Sequence, residues 1–294
     1  MTAASGLLIV DKPGGWTSHD VVARIRRLAG TRRVGHAGTL DPMATGVLVV
    51  GIEKATRLLG YLALAEKEYT ATIRLGQTTA TDDAEGEPIE HVPVRNIDEA
   101  ELLRAVAGLT GQISQVPPGV SAIKVGGQRS YRLARAGQAP ELAARPVTVS
   151  EFTVQQIRPA GDVVDVDVRV SCSSGTYIRA LARDLGAELA IGGHLTVLRR
   201  TRVGPYVARQ ARTLDELAAG LEVIPLAGAA AAAFPRRELT AEEAHALAHG
   251  ARLNPGGTGS APVAAFAPDG SLVALVTDAD GRARSLAVFV TDGS

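Results

Sequence analysis

Two stretches of the chain alternate apolar and polar residues with a period of two. In one, Tyr69, Ala71, Ile73 and Leu75 interleave with Thr70, Thr72 and Arg74; the other reads VVDVDVRV over 163–170. Successive side chains leave a strand on opposite faces, so this pattern marks strands with one face in a core and one in water. A second period runs beside it. Val21, Ile25 and Leu28 fall on one face of a helix that Ser18 can cap, with Asp20 at the positive end of its dipole and Gly30 at its stop. A chain that mixes both periods is an α+β protein.

The remaining segments fill in that outline. GLLIVDKP reads as a strand running into a turn, and the Gly-rich loop GHAGTLDP returns into the apolar strand GVLVVGI. A helix is expected near 54–64, and the acidic loop TTATDDAEGE leads to a helix opened by an Asp98-x-x-Glu101 capping box. Residues 117–146 form a basic excursion containing the short helix SYRLARAG. Strands follow at 147–157 and 163–171, then a helix from about Gly175 and the strand HLTVLRRTRVG. After about residue 225 an Ala-rich run, open to a reading as a buried helix, precedes a helix near 240–249 and three short strands, a separate β-rich module.

Several function classes drop out early. The single cysteine, Cys172, forms no internal disulfide, and no Cys/His spacing suits zinc. The first residues lack the cationic and apolar stretch of a signal peptide, and no apolar run is long enough to span a bilayer. A reducing cytoplasm is the expected setting. The 31 basic and 31 acidic side chains cancel, which on its face argues against a nucleic-acid partner. However, the charges are segregated. Residues 1–60, 117–146 and 171–212 carry net charges of +4, +4 and +5, against −6, −2 and −5 for 61–116, 147–170 and 213–294. Each positive block is compatible with a solvated face or with RNA.

The residues alone nominate Asp41. It is flanked by Gly35, Gly38 and Pro42, so it lies on a loop where backbone can approach a ligand, or else it caps a turn. No P-loop, GxGxxG or Ser/His/Asp order supplies a competing reaction. The residues by themselves describe an RNA- or phosphate-facing α+β protein with one suspicious carboxylate.

A resemblance carries it further. GLLIVDKPGGWTSHDVV, RRVGHAGTLDPMATGVLVV, KATR, KEYTA, TDDAEGE, PPGVSAIKVGGQRSYRLAR, SSGTYIRALARDLG and HLTVLRRTRVG occur in the order found in TruB-type tRNA pseudouridine synthases, across roughly residues 6–206. RRELTAEEAHALAHGARLNP and PVAAFAPDGSLVALVTD resemble the PUA RNA-binding module that many members carry. The resemblance implies a mixed, largely antiparallel central sheet flanked by helices in a catalytic domain over 1–228, with a thumb-like insertion at about 117–146. A PUA-like domain would occupy 235–294.

It also implies cofactor-free isomerisation of uridine 55 in the tRNA T loop to pseudouridine, with the base flipped into a pocket. Asp41 matches the essential carboxylate, Arg179 the cation that keeps it charged, and Tyr69 the tyrosine against the target base that moves a proton late. Leu198 matches the apolar floor, Tyr177 pocket packing, and Asp83 a carboxylate near the base, with Asp82 one register away. His36 matches the histidine that fills the place of the flipped base. Lys12, Lys54, Arg57, Lys124, Arg129, Arg132, Arg199 and Arg200 are the candidate phosphate contacts.

The implied partner is the tRNA T stem-loop. No metal, membrane or obligatory protein partner is implied, and the protein is expected to be a monomer. The alternatives are the guide-RNA-dependent relative of the same superfamily and an RNA-folding factor that grips the T loop without chemistry.

Overall fold

The computed structural model describes residues 4–120, the strands at 124–125 and 128–129, and residues 142–257 and 259–290. The chain divides into two compact units. One comprises Met1–Pro42, Gly46–Leu64 and Val203–Ser294, the other Met43–Thr45 and Ala65–Arg202.

The first unit opens with β1 (Gly6–Lys12), α1 (Ser18–Ala29), β2 (Val34–Ala37) and β3 (Thr45–Ile52). β3 pairs antiparallel with β1, placing Lys12 opposite Gly46, and antiparallel with β2, placing His36 opposite Val50. β1 and β3 are apolar nearly throughout because both of their faces are covered. Leu7, Ile9, Val47 and Val49 enter one cluster, while Leu8, Val10, Leu48 and Val50 enter another with Val21, Val22 and Ile25 of α1.

Three local expectations change here. Thr17, not Ser18, caps α1, in a reciprocal box with Asp20 that frees the Ser18 hydroxyl for another task. The stretch expected to be loop around His36 is strand β2 up to Ala37, after which Gly38 takes a φ of 83° that suits glycine. The helix expected over 54–64 is a 3₁₀ turn, Glu53–Leu58, followed by the single turn α2 (Leu59–Leu62). Thr56 donates its hydroxyl to the Glu53 carbonyl at 2.7 Å, a side-chain bond of the kind that competes with regular helix.

The second unit contains β4 (Lys67–Leu75), β5 (Gln77–Thr79), β6 (Pro88–His91), α3 (Glu99–Gly108), β7 (Gly111–Gln115), β8 (Lys124–Val125) and β9 (Gln128–Arg129). It continues with β10 (Arg145–Ala160), β11 (Val163–Cys172), α4 (Ile178–Glu188) and β12 (Gly193–Val203). Strand order runs β12-β4-β11-β10-β7, and β4, β11, β10 and β7 are antiparallel neighbours. The alternation seen in sequence has a direct cause. The inner residues of β4 are buried, while on the outer face Thr72 bonds Asp167, Arg74 pairs with Asp165 and Glu68 with Arg169. Asp98 caps α3 as expected, and α4 begins at Ile178, three residues later than the reading from Gly175. The helix expected over SYRLARAG lies outside the described residues.

The first unit resumes with β13 (Tyr206–Val207), α5 (Leu214–Ala219), β14 (Ile224–Pro225), α6 (Leu226–Ala233), β15 (Arg236–Glu238), α7 (Ala241–Ala248), β16 (Val263–Phe266), β17 (Leu272–Ala279) and β18 (Arg282–Val288). The Ala-rich run is helix α6, with Ala229 and Ala230 fully buried. β15 to β18 form a sheet in that order, parallel only between β15 and β16. Phe266, Leu272, Leu275 and Phe289 from this end of the chain share an apolar cluster with Leu7, Ile9 and Leu58. Arg57 donates to the Val288 carbonyl and the Tyr61 hydroxyl to that of Leu286. The fold is α+β, with largely antiparallel sheet, flanking helices and a small β-rich C-terminal part. Among the described residues, no helix is long and apolar enough to cross a membrane.

Candidate active site

In the first unit the candidate carboxylate lies on the loop after β2. Asp41 is half-buried there, and the residues on either side of it are held by hydrogen bonds. On one side the buried Ser18 hydroxyl accepts from the Leu40 N–H at 2.9 Å and lies 3.2 Å from its carbonyl. On the other, the Pro42 carbonyl accepts from the Gly15 N–H at 2.9 Å and from the Lys12 ammonium at 3.1 Å. A carboxylate fixed at both neighbours loses little orientational freedom when a ligand arrives, which is what a reacting group needs.

Lys12 departs from its expected place among the phosphate contacts. It is fully buried, and its ammonium also donates to the carbonyls of Pro13 at 2.8 Å and Trp16 at 2.6 Å. An ammonium has three hydrogens, and three carbonyls receive them. Lys12 therefore braces the turn that carries Asp41. His36, half-buried on β2, meets the edge of the exposed His19 ring with centroids 5.6 Å apart and planes at 82°. Lys54 and Arg57 lie on the 3₁₀ turn, where Arg57 engages the Val288 carbonyl.

In the second unit, Tyr69 and Leu198 are buried on β4 and β12. Arg179 and Asp83 are both nearly sealed from solvent, with Nε 3.4 Å from Oδ2. Arg179 also donates to the carbonyls of Thr81 at 2.8 Å and Val120 at 3.0 Å. Two neighbouring carboxylates thus have distinct partners: Asp83 faces Arg179, while Asp82 faces Arg183 at 3.3 Å. α4 can lie close to the start of β12 because Gly186 has no side chain; a Cβ there would come within 2.2 Å of Gly192.

Tyr177 is the N-cap residue of α4, and the Gln115 side chain holds it, accepting from its N–H at 2.8 Å and donating to its carbonyl at 3.1 Å. Sequence reasoning missed Gln115, Arg183 and Ser18. All three act on backbone groups, and no spacing rule signals that.

Arg200 is also buried, two residues from Leu198 on the same side of β12. Beside it, burial and then the Arg200 charge push the Lys67 ammonium down to about 8, and burial pushes the Cys172 thiol up to about 11. Arg199, by contrast, is half-buried, with Nη1 3.4 Å from the Thr45 hydroxyl. The side chains of Lys124 and Arg129, and Arg132 altogether, lie outside the described residues. Much of the positive charge counted in sequence is engaged internally. Arg26 donates to the Val34 carbonyl, Arg202 pairs with Glu66, and Arg212 donates to the carbonyls of Gly220 and Glu216.

Comparison with known proteins matches three family descriptions along the chain. These are TruB family pseudouridylate synthase (N terminal domain) over 26–178, tRNA pseudouridylate synthase B C-terminal domain over 179–224, and tRNA Pseudouridine synthase II, C terminal over 234–290. The chain is 66% identical to tRNA pseudouridine synthase B of Thermobifida fusca, over 97% of this chain and 99% of that protein. It is 60% identical to the protein of the same name from Arthrobacter, over 97% and 96%. Among solved structures, it is similar to a chain of an H/ACA RNP bound to a substrate RNA containing 2'-deoxyuridine, with a TM-score of 0.74 at 27% identity, covering 98% of this chain and 86% of that one. A chain of a Cbf5-Nop10-Gar1 complex gives 0.73 at 28%, over 97% and 84%.

Proposed function

The chain belongs to the TruB family of pseudouridylate synthases, and on that footing we propose that it isomerises uridine 55 in the tRNA T loop to pseudouridine. The observation that carries this reading is similarity along 97% of the chain to proteins named tRNA pseudouridine synthase B. The bond from ribose C1' to uracil N1 breaks, the base turns, and a bond from C1' to C5 forms. N1 gains a proton and C5 gives one up. The bonds broken and made lie within one nucleotide, so the atoms balance without a cofactor.

Asp41 is the carboxylate that serves this exchange, supported by the fixed positions of Leu40 and Pro42 around it. Tyr69 lies against the base and takes part in the late proton transfer, with Leu198 as the apolar floor, Tyr177 as packing and Asp83 as the carboxylate near the base. Arg179 is the cation a desolvated carboxylate needs to stay charged. Taking the uridine out of its stack costs a few kcal/mol, and His36 offsets part of that by stacking in its place, worth roughly 1–3 kcal/mol. The insertion at about 117–146 and the PUA-like part over 235–294 bind RNA. Lys54, Arg57 and Arg199 touch phosphates, and Lys124, Arg129 and Arg132 join them. The protein works in the cytoplasm as a monomer.

The test is purified protein with a T stem-loop transcript and no other RNA or protein, with pseudouridine mapped by position. Modification at uridine 55 supports the proposal. Inactivity that a guide RNA relieves would transfer the protein to the guide-dependent reading.

A further inference from the structure

Arg179 and Arg183 lie one helical turn apart on α4 and reach the same two segments. Arg179 contacts Thr81, Asp83 and Val120. Arg183 lies 3.3 Å from Asp82 and donates to the Val116 carbonyl at 2.8 Å. Between the two arginines the acidic loop makes a sharp turn. Asp82 has a φ of +59°, a left-handed conformation that is strained for an L-residue, although aspartate tolerates it better than most. That turn sends consecutive carboxylates to different arginines.

The Asp82 N–H lies 3.3 Å from the Thr79 carbonyl, and the Asp82 carbonyl accepts from the Leu195 N–H at 3.0 Å. Ala84 donates back to Leu195 at 2.9 Å. Asp83, 3% exposed, accepts from the Thr81 hydroxyl and from the Glu85 N–H at 3.1 Å. Burial pushes the Asp82 carboxyl up, and the charges of Arg183 and then Arg179 oppose that. Without Arg183 the ionised Asp82 loses the first of these compensations, and the loop gains a reason to turn the carboxylate out to water.

We propose that Arg183 is a positioning residue: it holds Asp82 in the left-handed turn and thereby keeps Asp83 and Arg179 in register. The proposal rests on the reading of Asp83 and Arg179 as pocket groups. Arg183 serves as a support and not as a substrate contact. It acts through the loop, where a displacement of an ångström is enough to slow chemistry.

The experiment measures kcat and KM on a T stem-loop transcript, with melting temperatures, for the parent, Arg183→Met, Arg183→Met with Asp82→Gly, and Arg179→Ala. Arg183→Met is expected to lower kcat about tenfold with KM within about twofold. Adding Asp82→Gly is expected to restore most of the loss, because glycine adopts positive φ without strain. An unchanged kcat in Arg183→Met overturns the proposal. So does a rise in KM at constant kcat, which would make Arg183 an RNA contact. A loss that tracks melting temperature and resists the glycine also overturns it, assigning Arg183 to packing. Full activity in Arg179→Ala would instead overturn the pocket reading beneath it.

Discussion

Lys12 donates its ammonium to the Pro42 carbonyl at 3.1 Å from a position with no solvent exposure, one residue away from the carboxylate proposed to react. The same ammonium serves Pro13 and Trp16. Replacing it with methionine keeps the stem and strands three carbonyls, each costing about 1–3 kcal/mol if no water reaches it. Lys12→Met should therefore lower the melting temperature and reduce kcat more than it weakens tRNA binding. Urea denaturation and steady-state kinetics on one preparation check both halves of that statement.

Asp41→Ala should abolish pseudouridine formation. Its neighbours are held by Ser18, Gly15 and Lys12, none of which involves the Asp41 side chain, so the loop should keep its path. Affinity for tRNA is expected to stay within about tenfold, equivalent to ~1.4 kcal/mol. Retained turnover would remove Asp41 from the reaction, whereas a loss of binding comparable to the loss of rate would make it a recognition group.

Lys67 gives a pH-dependent signal. Its ammonium titrates at about 8 in the folded chain and at 10.5 when unperturbed. Between those values the unfolded chain holds a proton that the folded chain has released, so raising the pH favours the folded state. The contribution is complete above the unfolded value and disappears as pH falls through about 8. Unfolding free energies of the parent relative to Lys67→Met, measured at pH 7.5 and 9.5, should show the parent gaining on the variant with rising pH. A flat difference would mean that Lys67 titrates normally.

Salt dependence should report the charge actually available to RNA. The positive blocks carry a net +13 in sequence, yet Lys12 and Arg200 are buried and Arg26, Arg202 and Arg212 are engaged within the fold. Each phosphate neutralised contributes about −0.7 to −0.9 to the slope of log K against log salt. Binding should weaken steeply with salt despite a pI near 7.0, but with a slope well short of thirteen contacts. Filter binding across a salt series gives the count.

Segments with a sustained period were legible in the sequence. β1, β3, β4 and β11 each carry a long apolar run or a clean alternation, and burial follows it. The missed strands are short or exposed. β2 has four residues, β5 has three, and all four positions of β6 face solvent, so no periodic signal exists to read. At the start of α1 the signal existed but was ambiguous, since Thr17 and Ser18 are both good caps; Asp20 three residues after Thr17 decides it. The candidate site divides similarly. Asp41, His36 and Arg179 announce themselves through motifs, whereas Ser18, Gln115 and Arg183 work on backbone atoms that distant segments supply.

The cluster joining Leu7 and Ile9 to Phe266, Leu272 and Phe289 has a consequence for synthesis on the ribosome. β1 is synthesised before β17 and Phe289, so part of its apolar surface stays uncovered until they follow. The loop bearing Asp41 is anchored to β1 through Lys12, so until then that loop rests on a strand whose packing is incomplete. A nascent chain stopped before β17 should bind holding chaperones and lack activity, even though every residue proposed for the chemistry has already been made.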